Sequence, residues 1–277
     1  MRARAVSVTV GVLTASVLLV GASTAVAKGL PQIRPFEPAH SGELIPLHGG
    51  TVQSGNWSGY AVTPSADNVT GVDSSFVVPT ASPLIPGFAA TWDGIGGYTG
   101  SDLIQAGVSE NSPETGLIEG GDYNAWYEIL PASETEISDC TGNSACTVNA
   151  GDQMTVDIQL VTGQTWNIDI VDSTEGWTWD QDINYASSES SAEWILEAPT
   201  VIEQTILADV GTASFGSDDT YTTADGVTHT IAAGDPTEIE LSPEGIGVLE
   251  EATPSALAAD GSSFNDCSYT LSTCAAP

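Results

Sequence analysis

MTVDIQLVTGQTWNIDIVD, residues 154–172, contains two runs in which apolar and polar side chains alternate. The apolar positions are Met154, Val156, Ile158 and Leu160 in the first run, and Trp166, Ile168 and Ile170 in the second. Because successive side chains of a strand point to opposite faces, each run predicts a strand with one buried face. Gly163, in the intervening TGQ, predicts the turn of a hairpin.

Similar short segments recur along the chain. GWTWD (176–180) alternates two tryptophans, and TTADGVTHT (222–230) places Asp225-Gly226, a favoured tight-turn pair, between threonine-rich arms. A helical period is suggested only at 245–251, and no internal repeat has a fixed period. Many short strands at close spacing predict an all-β fold, a large antiparallel β-sandwich.

The N-terminus predicts segments that lie outside this fold. Two arginines precede an apolar run, and Ala25-Val26-Ala27 ends it with a cleavage pattern, so residues 1–27 are interpreted as a secretory signal peptide. The proline-rich residues 28–53 are interpreted as a linker or short pro-segment. The folded domain is then predicted to span 54–277.

The charge of the chain is strongly negative. It has 4 Lys+Arg against 37 Asp+Glu, a formal net charge of −33, and no Lys or Arg from Pro35 onward. Nucleic acid and anionic membranes are excluded as partners, because such a surface repels both. Repulsion between the carboxylates is relieved by protonation in acid and by screening in high salt. Adaptation to either condition therefore explains this composition.

The four cysteines form two close pairs in sequence. In an exported chain, disulfides are expected, and three connectivities are possible. The simplest is Cys140–Cys146 with Cys267–Cys274. No metal site is predicted, because the spacings are not C-x2-C and no histidine lies near either pair.

Most standard catalytic motifs are absent. His229 is the only histidine after residue 48, no G-x-S-x-G is present, and no phosphate or dinucleotide motif occurs. Carboxylates, amides and aromatic rings remain. They are dense in four segments: SGNWSGYAV (54–62), ATWDGIGGYTGSDLIQAGV (90–108), YNAWYEILP (123–131) and SSAEWILEAP (190–199).

These segments, in this order, together with ILADVGTASF (206–215), resemble the glutamic peptidases, or eqolisins. The resemblance implies a jelly-roll β-sandwich of two long antiparallel sheets, similar to concanavalin A, and endopeptidase activity in acid. It also implies a catalytic dyad, Gln105 in LIQAG and Glu197 in AEWILE. The matching positions that line the substrate cleft are Trp57, Trp92, Trp126 and Glu128.

Two further positions qualify this interpretation. Read as a strand, AEWILE places Glu193 on the same face as Glu197, and Glu193 is counted with the substrate-binding residues. Glu193 and Glu128 are expected to raise the pKa of Glu197 by like-charge repulsion. Gly96 stands where some members of the family have aspartate. The nearby Asp93 is expected to face the other way, so a supporting carboxylate is missing at that position.

The predicted function is therefore that of a secreted, monomeric acid endopeptidase that acts on polypeptides without a cofactor, and with no membrane association after signal cleavage. Glu197 is expected to act on the attacking water and Gln105 to stabilise the oxyanion. A glycoside hydrolase using Glu128 and Glu197, or a non-catalytic carbohydrate-binding sandwich, remains the alternative. Acid adaptation is favoured over salt adaptation because the resemblance points the same way.

Overall fold

Strands make up nearly all the regular structure of the chain. The computed structural model describes residues 44–46, 50–65, 68–84, 87–112, 122–199, 205–242 and 251–277. The predicted signal peptide, most of the predicted linker and nearly all of the possible helical segment at 245–251 lie outside these ranges. Within them, no helix is long and apolar enough to cross a membrane.

The described strands, numbered along the chain, are β1 (Ile45–Pro46), β2 (Thr51–Ser54), β3 (Trp57–Val62), β4 (Val69–Val77), β5 (Ala90–Gly96), β6 (Leu103–Asn111), β7 (Asp122–Ile129), β8 (Thr135–Glu136), β9 (Gln153–Thr162), β10 (Thr165–Asp172), β11 (Trp177–Asn184), β12 (Ala192–Glu197), β13 (Thr212–Phe215), β14 (Thr220–Thr223), β15 (Thr228–Thr230), β16 (Thr237–Leu241), β17 (Ala252–Pro254) and β18 (Phe264–Ser268). A 3-10 helix at Ile231–Gly234 follows β15.

The strands form two layers. The first sheet has the order β1-β2-β16-β3-β12-β5-β6-β7-β8. The second sheet begins with the order β11-β10-β9-β4. On the other side from β9, β4 pairs with both β14 and β13. β14 then pairs with β15, and β13 pairs with β18, which pairs with β17. A single pair of residues joins β16 to β17 and links the layers. The predicted antiparallel sandwich is confirmed, with β2–β16 as a parallel pair within it.

A strand lies at the predicted start of the domain near Ser54. Residues 51–54 form β2, which pairs with β16 from Glu238–Thr51 to Leu241–Ser54. The partner strand lies almost 190 residues further along the chain, so no local pattern in the proline-rich segment predicts the pairing. Sheet membership here depends on a long-range contact.

The alternating runs form the predicted hairpin. β9 and β10 pair antiparallel, and Gly163 in the turn has φ 61°, a left-handed value that glycine adopts without strain. The second predicted hairpin, β14–β15, has Gly226 at φ 78° in its turn. The apolar residues of β9 and β10 face the first sheet, so alternation places them in the core as predicted.

The first sheet is buried on both faces. Its inner face contributes Ile95, Ile104 and Trp194 to the main core between the layers. Its outer face carries a second buried cluster, which contains Trp57 and Trp92. This second cluster is the floor of the candidate site described below.

The disulfides are the local ones. Cys140 is bonded to Cys146 and Cys267 to Cys274, with Cα–Cα distances of 5.4 and 5.7 Å. The simplest of the three predicted connectivities is therefore confirmed. Each bridge closes a short loop, which constrains the unfolded chain less than a long one.

Four aspartates stand side by side across the second sheet. Asp73 on β4 pairs in register with Asp157 on β9, Asp157 with Asp169 on β10, and Asp169 with Asp180 on β11. Like charges directly opposite each other destabilise a sheet. Burial and the Asp157 charge raise the pKa of Asp73 to about 6, so protonation at low pH relieves the repulsion.

Asp93 is a carboxylic acid in the core between the sheets. It lies on β5, it is fully buried, and neither carboxyl oxygen has a hydrogen-bond partner among the described residues. Burial, followed by the charges of Asp73, Asp219 and Asp157, raises its pKa well above the ordinary value. The folded state therefore binds this proton more tightly than the unfolded state does.

We predict that Asp93→Asn makes the protein more stable at neutral pH. The pKa of Asp93 is raised in the folded state, so its protonated carboxyl group contributes fully to stability below the unfolded-state pKa of about 3.9. This contribution is lost as pH rises toward the folded-state pKa. Asparagine has nearly the same shape and does not ionise. Each unit of pKa shift corresponds to about 1.4 kcal/mol, or roughly 3–5 °C in Tm for a domain of this size.

The measurement is thermal unfolding at pH 4 and pH 7. The variant should match the wild type within a few degrees at pH 4 and exceed it by several degrees at pH 7. Asp235→Asn is the matched control, because Asp235 is exposed and its left-handed backbone, φ 52°, suits asparagine. An equal gain in the control, or no gain at pH 7, would contradict the role assigned to Asp93.

Candidate active site

The outer face of the first sheet carries the residues that the sequence predicted for the cleft. Trp57, Trp92 and Trp126 all belong to its buried cluster. The rings of Trp57 and Trp92 pack edge to face, with centroids 5.0 Å apart. Gly107 lies opposite Trp92, and a Cβ atom at that glycine would come within 2.5 Å of the Trp92 Cβ. The glycine of LIQAG therefore allows β6 to lie close to the backbone of β5 at Thr91 and Trp92.

Glu197 lies at the end of β12 on this face. Its carboxylate accepts a hydrogen bond from Trp92 Nε1 at 2.8 Å and from Asn56 Nδ2 at 2.9 Å. Burial raises the pKa of Glu197 to about 7, and these two hydrogen bonds oppose that effect. Both carboxylate oxygens are thus held by N–H donors.

Gln105 lies on β6, directly opposite Glu128 on β7. Its Nε2 donates to Glu128 Oε2 at 2.7 Å, and both residues are almost completely buried. Gln105 Oε1 and Glu128 Oε1 have no partner among the described residues, and neither has Trp126 Nε1 on the neighbouring row. Three polar atoms without hydrogen-bond partners therefore lie close together on the outer face of the first sheet. Such a group is expected where a polar ligand binds.

β5 separates the two residues of the predicted dyad. Gln105 is in register with Gly94 and Glu197 with Ala90, so the pair is offset by four residues along β5, with Trp92 between the two positions. The carboxylate in direct register with Gln105, across Gly94, is Glu193. The sheet therefore offers two glutamates near Gln105, and register by itself does not choose between them.

The surroundings of Glu193 differ from those of Glu197. Glu193 is fully buried and accepts the backbone N–H of Tyr98 at 3.3 Å, while its second oxygen has no partner among the described residues. Burial raises its pKa well above the ordinary value, with a smaller contribution from the charge of Asp102. Of the two glutamates, Glu197 is the one whose ionised form has hydrogen bonds to both oxygens.

The expected electrostatic role of Glu193 needs correction. The pKa of Glu197 is raised by burial and not by the charges of Glu193 or Glu128. Burial and then repulsion by the ionised Glu197 raise the pKa of Glu128 to about 9 and that of Glu134 to about 8. Glu197 therefore ionises before its two neighbours.

The position of the missing aspartate has a structural explanation. Gly96 has φ 90°, and a Cβ atom there would lie 2.6 Å from the Asp102 carbonyl oxygen and 3.2 Å from its carboxylate. Asp102 thus places a carboxyl group beside position 96. Asp93 faces the core, as expected from strand alternation.

Two residues of the site were missed by the sequence reasoning. Asn56 lies in the NWSGY segment from which only Trp57 was selected, so its proximity to that tryptophan was an available signal. Glu134 lies in the turn before β8, and its charge contributes, after burial and the charge of Glu197, to the raised pKa of Glu128. Nothing in the sequence around Glu134 distinguishes it from the other acidic residues. Among the described residues, no group of three or more potential metal ligands is present.

The sequence model of the Peptidase A4 family matches residues 55–257, which include every residue of this site. The chain belongs to the Peptidase A4 family. It is therefore a peptide hydrolase of the eqolisin group, and the resemblance noted from the motifs is confirmed. This assignment favours a peptidase over the glycoside hydrolase and carbohydrate-binding alternatives.

Solved structures of glutamic peptidases share the fold of this peptidase. Scytalido-glutamic peptidase with a peptide-based transition state analog is 19% identical, with a TM-score of 0.59, over 78% of this chain and 98% of that chain. Aspergilloglutamic peptidase from Aspergillus niger is 22% identical, with a TM-score of 0.54, over 66% and 99% of the two chains. SCP-B, an eqolisin in a complex with the tripeptide Ala-Ile-His, is 18% identical, with a TM-score of 0.57, over 78% and 98%. No match was found among curated proteins.

We predict that Trp92→Phe raises the pKa of Glu197 further. The substitution keeps an aromatic ring beside Trp57 but removes the N–H that donates to the carboxylate at 2.8 Å. A hydrogen bond to a charged group contributes about 1.5–3 kcal/mol, so the pKa should rise by roughly one unit or more. The shift is measured by NMR titration of the Glu197 side chain.

Trp126→Phe provides the matched control. It also removes an indole N–H from the floor, but this N–H has no partner among the described residues. The control should leave the titration of Glu197 within a few tenths of a unit. Equal shifts in the two variants would show that ring size, and not the hydrogen bond, sets the pKa.

Proposed function

We propose that the protein is a secreted endopeptidase that is active in mild acid and cleaves polypeptides with a dyad of Glu197 and Gln105. The observation that carries this proposal is the environment of Glu197. It is a buried carboxylate on the aromatic floor of a Peptidase A4 domain, it has an N–H donor on each oxygen, and it ionises before the neighbouring glutamates.

Hydrolysis in this site needs a base, an oxyanion donor and a proton for the leaving amine. The Glu197 carboxylate takes a proton from water as the water oxygen attacks the substrate carbonyl. The carbonyl oxygen becomes an oxyanion, and an N–H of Gln105 donates to it. Glu197 then returns the proton to the nitrogen as the C–N bond breaks, which yields an acid and an amine and restores the carboxylate.

Glu128 supports this arrangement by holding Gln105. The Gln105 amide nitrogen carries two hydrogens, and Glu128 accepts one of them at 2.7 Å, which leaves the other for the oxyanion. Because the pKa of Glu128 is raised to about 9, this glutamate is neutral across the acid range and adds no negative charge beside the developing oxyanion.

The expected pH optimum is weakly acidic. The base form of Glu197 is lost as pH falls below about 7, so the rate should decline on the acid side well above the ordinary glutamate pKa of 4.5. On the alkaline side, ionisation of Glu134 adds charge near Glu197, and the aspartates of the fold repel each other. Because less than about a tenth of Glu197 is ionised below pH 6, the two limits leave a maximum at about pH 6–7.

Secretion and a monomeric state belong to the same proposal. Two disulfides in a chain with an N-terminal signal pattern suit an oxidising, extracellular location. The strongly negative surface disfavours self-association at neutral pH. Polypeptides are the proposed substrates, and the mechanism requires no cofactor.

We predict that Glu197→Gln and Gln105→Ala abolish most peptide cleavage while preserving the fold. Removal of a general base lowers turnover by about 10²–10⁴-fold, and removal of an oxyanion donor by about 10²–10³-fold. The rate is measured on a denatured casein-type substrate, and circular dichroism monitors the fold. Near-normal turnover in either folded variant would rule out the dyad.

Glu193→Gln decides between the two glutamates of β12. It makes the same chemical change four residues away, on the same face and in direct register with Gln105 through Gly94. The dyad predicts that its loss of activity is at least tenfold smaller than that of Glu197→Gln. The opposite order would transfer the role of the base to Glu193.

Acid and salt adaptation can be separated by varying both conditions. Crowded carboxylates with raised pKa values favour the folded state at low pH, so Tm should fall between pH 5 and pH 7 without added salt. Tm and peptidase rate are measured at pH 3, 5 and 7, with and without about 2 M NaCl. Activity confined to neutral pH in high salt would contradict acid adaptation.

A further inference from the structure

Asn56 contacts the end of β12 through both its side chain and its backbone. Its Nδ2 donates to Glu197 Oε1 at 2.9 Å, and its carbonyl oxygen accepts the backbone N–H of Ala198 at 2.8 Å. Asn56 lies in the turn between β2 and β3 and is only 3% exposed. A residue outside the proposed dyad therefore contacts both the Glu197 carboxylate and the strand that carries it.

The Asn56 amide stabilises an ionised Glu197 in only one orientation. An asparagine side chain has a donating NH2 group and an accepting oxygen. When the nitrogen faces Glu197, the amide donates to the carboxylate, as in this structure. When the oxygen faces Glu197, the amide accepts a hydrogen bond only from the protonated acid, which favours the neutral form of the glutamate. A group that fixes the amide orientation therefore acts on the state of the base.

Ser54 carries such a group. Its Oγ accepts the backbone N–H of Asn56 at 3.3 Å and that of Trp57 at 3.2 Å. A hydroxyl has two acceptor lone pairs and one hydrogen, so these two contacts leave the hydrogen for donation. The hydroxyl donates to Asn56 Oδ1 at 3.4 Å. This contact keeps the amide oxygen toward Ser54 and the amide nitrogen toward Glu197.

The position of Ser54 is fixed by the sheet. Ser54 ends β2, in register with Leu241 of β16, and its carbonyl oxygen accepts the backbone N–H of Ser242 at 2.8 Å. Ser54 is 1% exposed, so solvent does not compete for its hydroxyl. The parallel pair β2–β16 therefore places this hydroxyl beside the Asn56 amide.

We propose that Ser54 and Asn56 are positioning residues for the catalytic base. Ser54 orients the Asn56 amide, and the oriented amide donates to one oxygen of Glu197 while Trp92 donates to the other. Neither Ser54 nor Asn56 exchanges a proton with the substrate, and both act through Glu197. This inference rests on the proposed peptidase function and adds two residues to its machinery.

Hydrogen bonds to Glu197, more than neighbouring charges, oppose the effect of burial on its ionisation. Burial raises the pKa of Glu197, and hydrogen bonds from Trp92, Asn56 and Trp57 lower it. An indole is only a donor, whereas an asparagine amide presents either a donor or an acceptor. Asn56 is therefore the donor whose orientation must be fixed. The other carboxyl groups described on this face or in the turns beside it belong to Glu193, Glu128, Asp122, Glu134, Glu136 and Asp102.

The first test is NMR titration of the Glu197 side chain. Asn56→Ala removes the donor and should raise the pKa of Glu197 by about one unit. Ser54→Ala retains the amide but no longer fixes its orientation, and should raise this pKa by about half a unit. At pH 6, kcat should then fall about tenfold and about threefold, in proportion to the ionised fraction of Glu197. KM should change less than twofold, because both residues act through Glu197.

A double-mutant cycle tests whether Ser54 acts through Asn56. The Ser54→Ala, Asn56→Ala double variant should match Asn56→Ala within a few tenths of a unit, because the hydroxyl has no amide left to orient. Additive shifts in the pKa of Glu197 would show that Ser54 acts by another route and would overturn the assigned role.

Ser58→Ala is the matched control. Ser58 is a buried serine on β3, and its hydroxyl donates to Asp266 at 2.8 Å on the opposite face of the first sheet. The control removes the same kind of group and should leave the pKa of Glu197 unchanged. Ser54→Thr retains a hydroxyl and should keep this pKa within a few tenths of a unit of the wild-type value. An unchanged pKa in Ser54→Ala, or an equal shift in Ser58→Ala, would contradict the proposal.

The titration requires no turnover, so it separates this inference from the proposed function. If the wild type cleaves no peptide but Ser54→Ala raises the pKa of Glu197, the positioning role stands and the proposed function fails. If Glu197→Gln is inactive but Ser54→Ala titrates like the wild type, the proposed function stands and the positioning role fails. If Ser54→Ala does not fold, Ser54→Cys replaces it. Its weak S–H donor should give a smaller shift in the same direction, and no shift would overturn the proposal.

Discussion

The absence of lysine and arginine after Arg34 constrains every carboxyl group in the described sheets. A carboxylate in such a domain can be stabilised by N–H and O–H donors, by solvent or by a proton, but not by a basic side chain, His229 excepted. Asp73, Asp157, Asp169 and Asp180 lie in one cross-strand row, and Asp93 lies in the core without a hydrogen-bond partner among the described residues. Burial and the neighbouring charges raise the pKa values of Asp73, Asp157, Asp169 and Asp93, which ties stability to low pH.

The candidate site depends on the same constraint. Burial raises the pKa values of Glu197, Glu128, Glu134 and Glu193, and the local donors and charges differ. Glu197 has the Trp92 indole and the Asn56 amide, so its pKa, about 7, lies below those of Glu134 and Glu128, about 8 and 9. One carboxylate can thus ionise while its neighbours remain neutral acids. Glutamate therefore serves both as the ionised base and as a neutral hydrogen-bonding group in this site. The hydrogen bonds that each buried carboxyl group accepts contribute to this difference.

Much of the fold could be predicted from local sequence. Alternation in β9 and β10 defined both strands and their buried faces, and the glycine-containing turns defined two hairpins. The short cysteine spacings made the observed disulfides the simplest choice. The pairing of β2 with β16 could not be predicted, because it joins segments almost 190 residues apart and no pattern in the proline-rich segment indicates the partner.

The sequence by itself determined the residue types of the site and the face on which they lie, because strand periodicity places Glu193 and Glu197 together and the motifs identify the family. The tertiary structure decided which groups each glutamate contacts. It brought the Asn56 amide into hydrogen-bond contact with Glu197, placed Glu134 where its charge acts on Glu128, and set Glu193 in register with Gln105 across Gly94. It also showed that repulsion involving Glu197 contributes to the raised pKa values of Glu128 and Glu134, after burial. The physical reason is that burial and hydrogen bonding, which set the order of ionisation, depend on residues that are distant along the chain and adjacent only in the folded sheet.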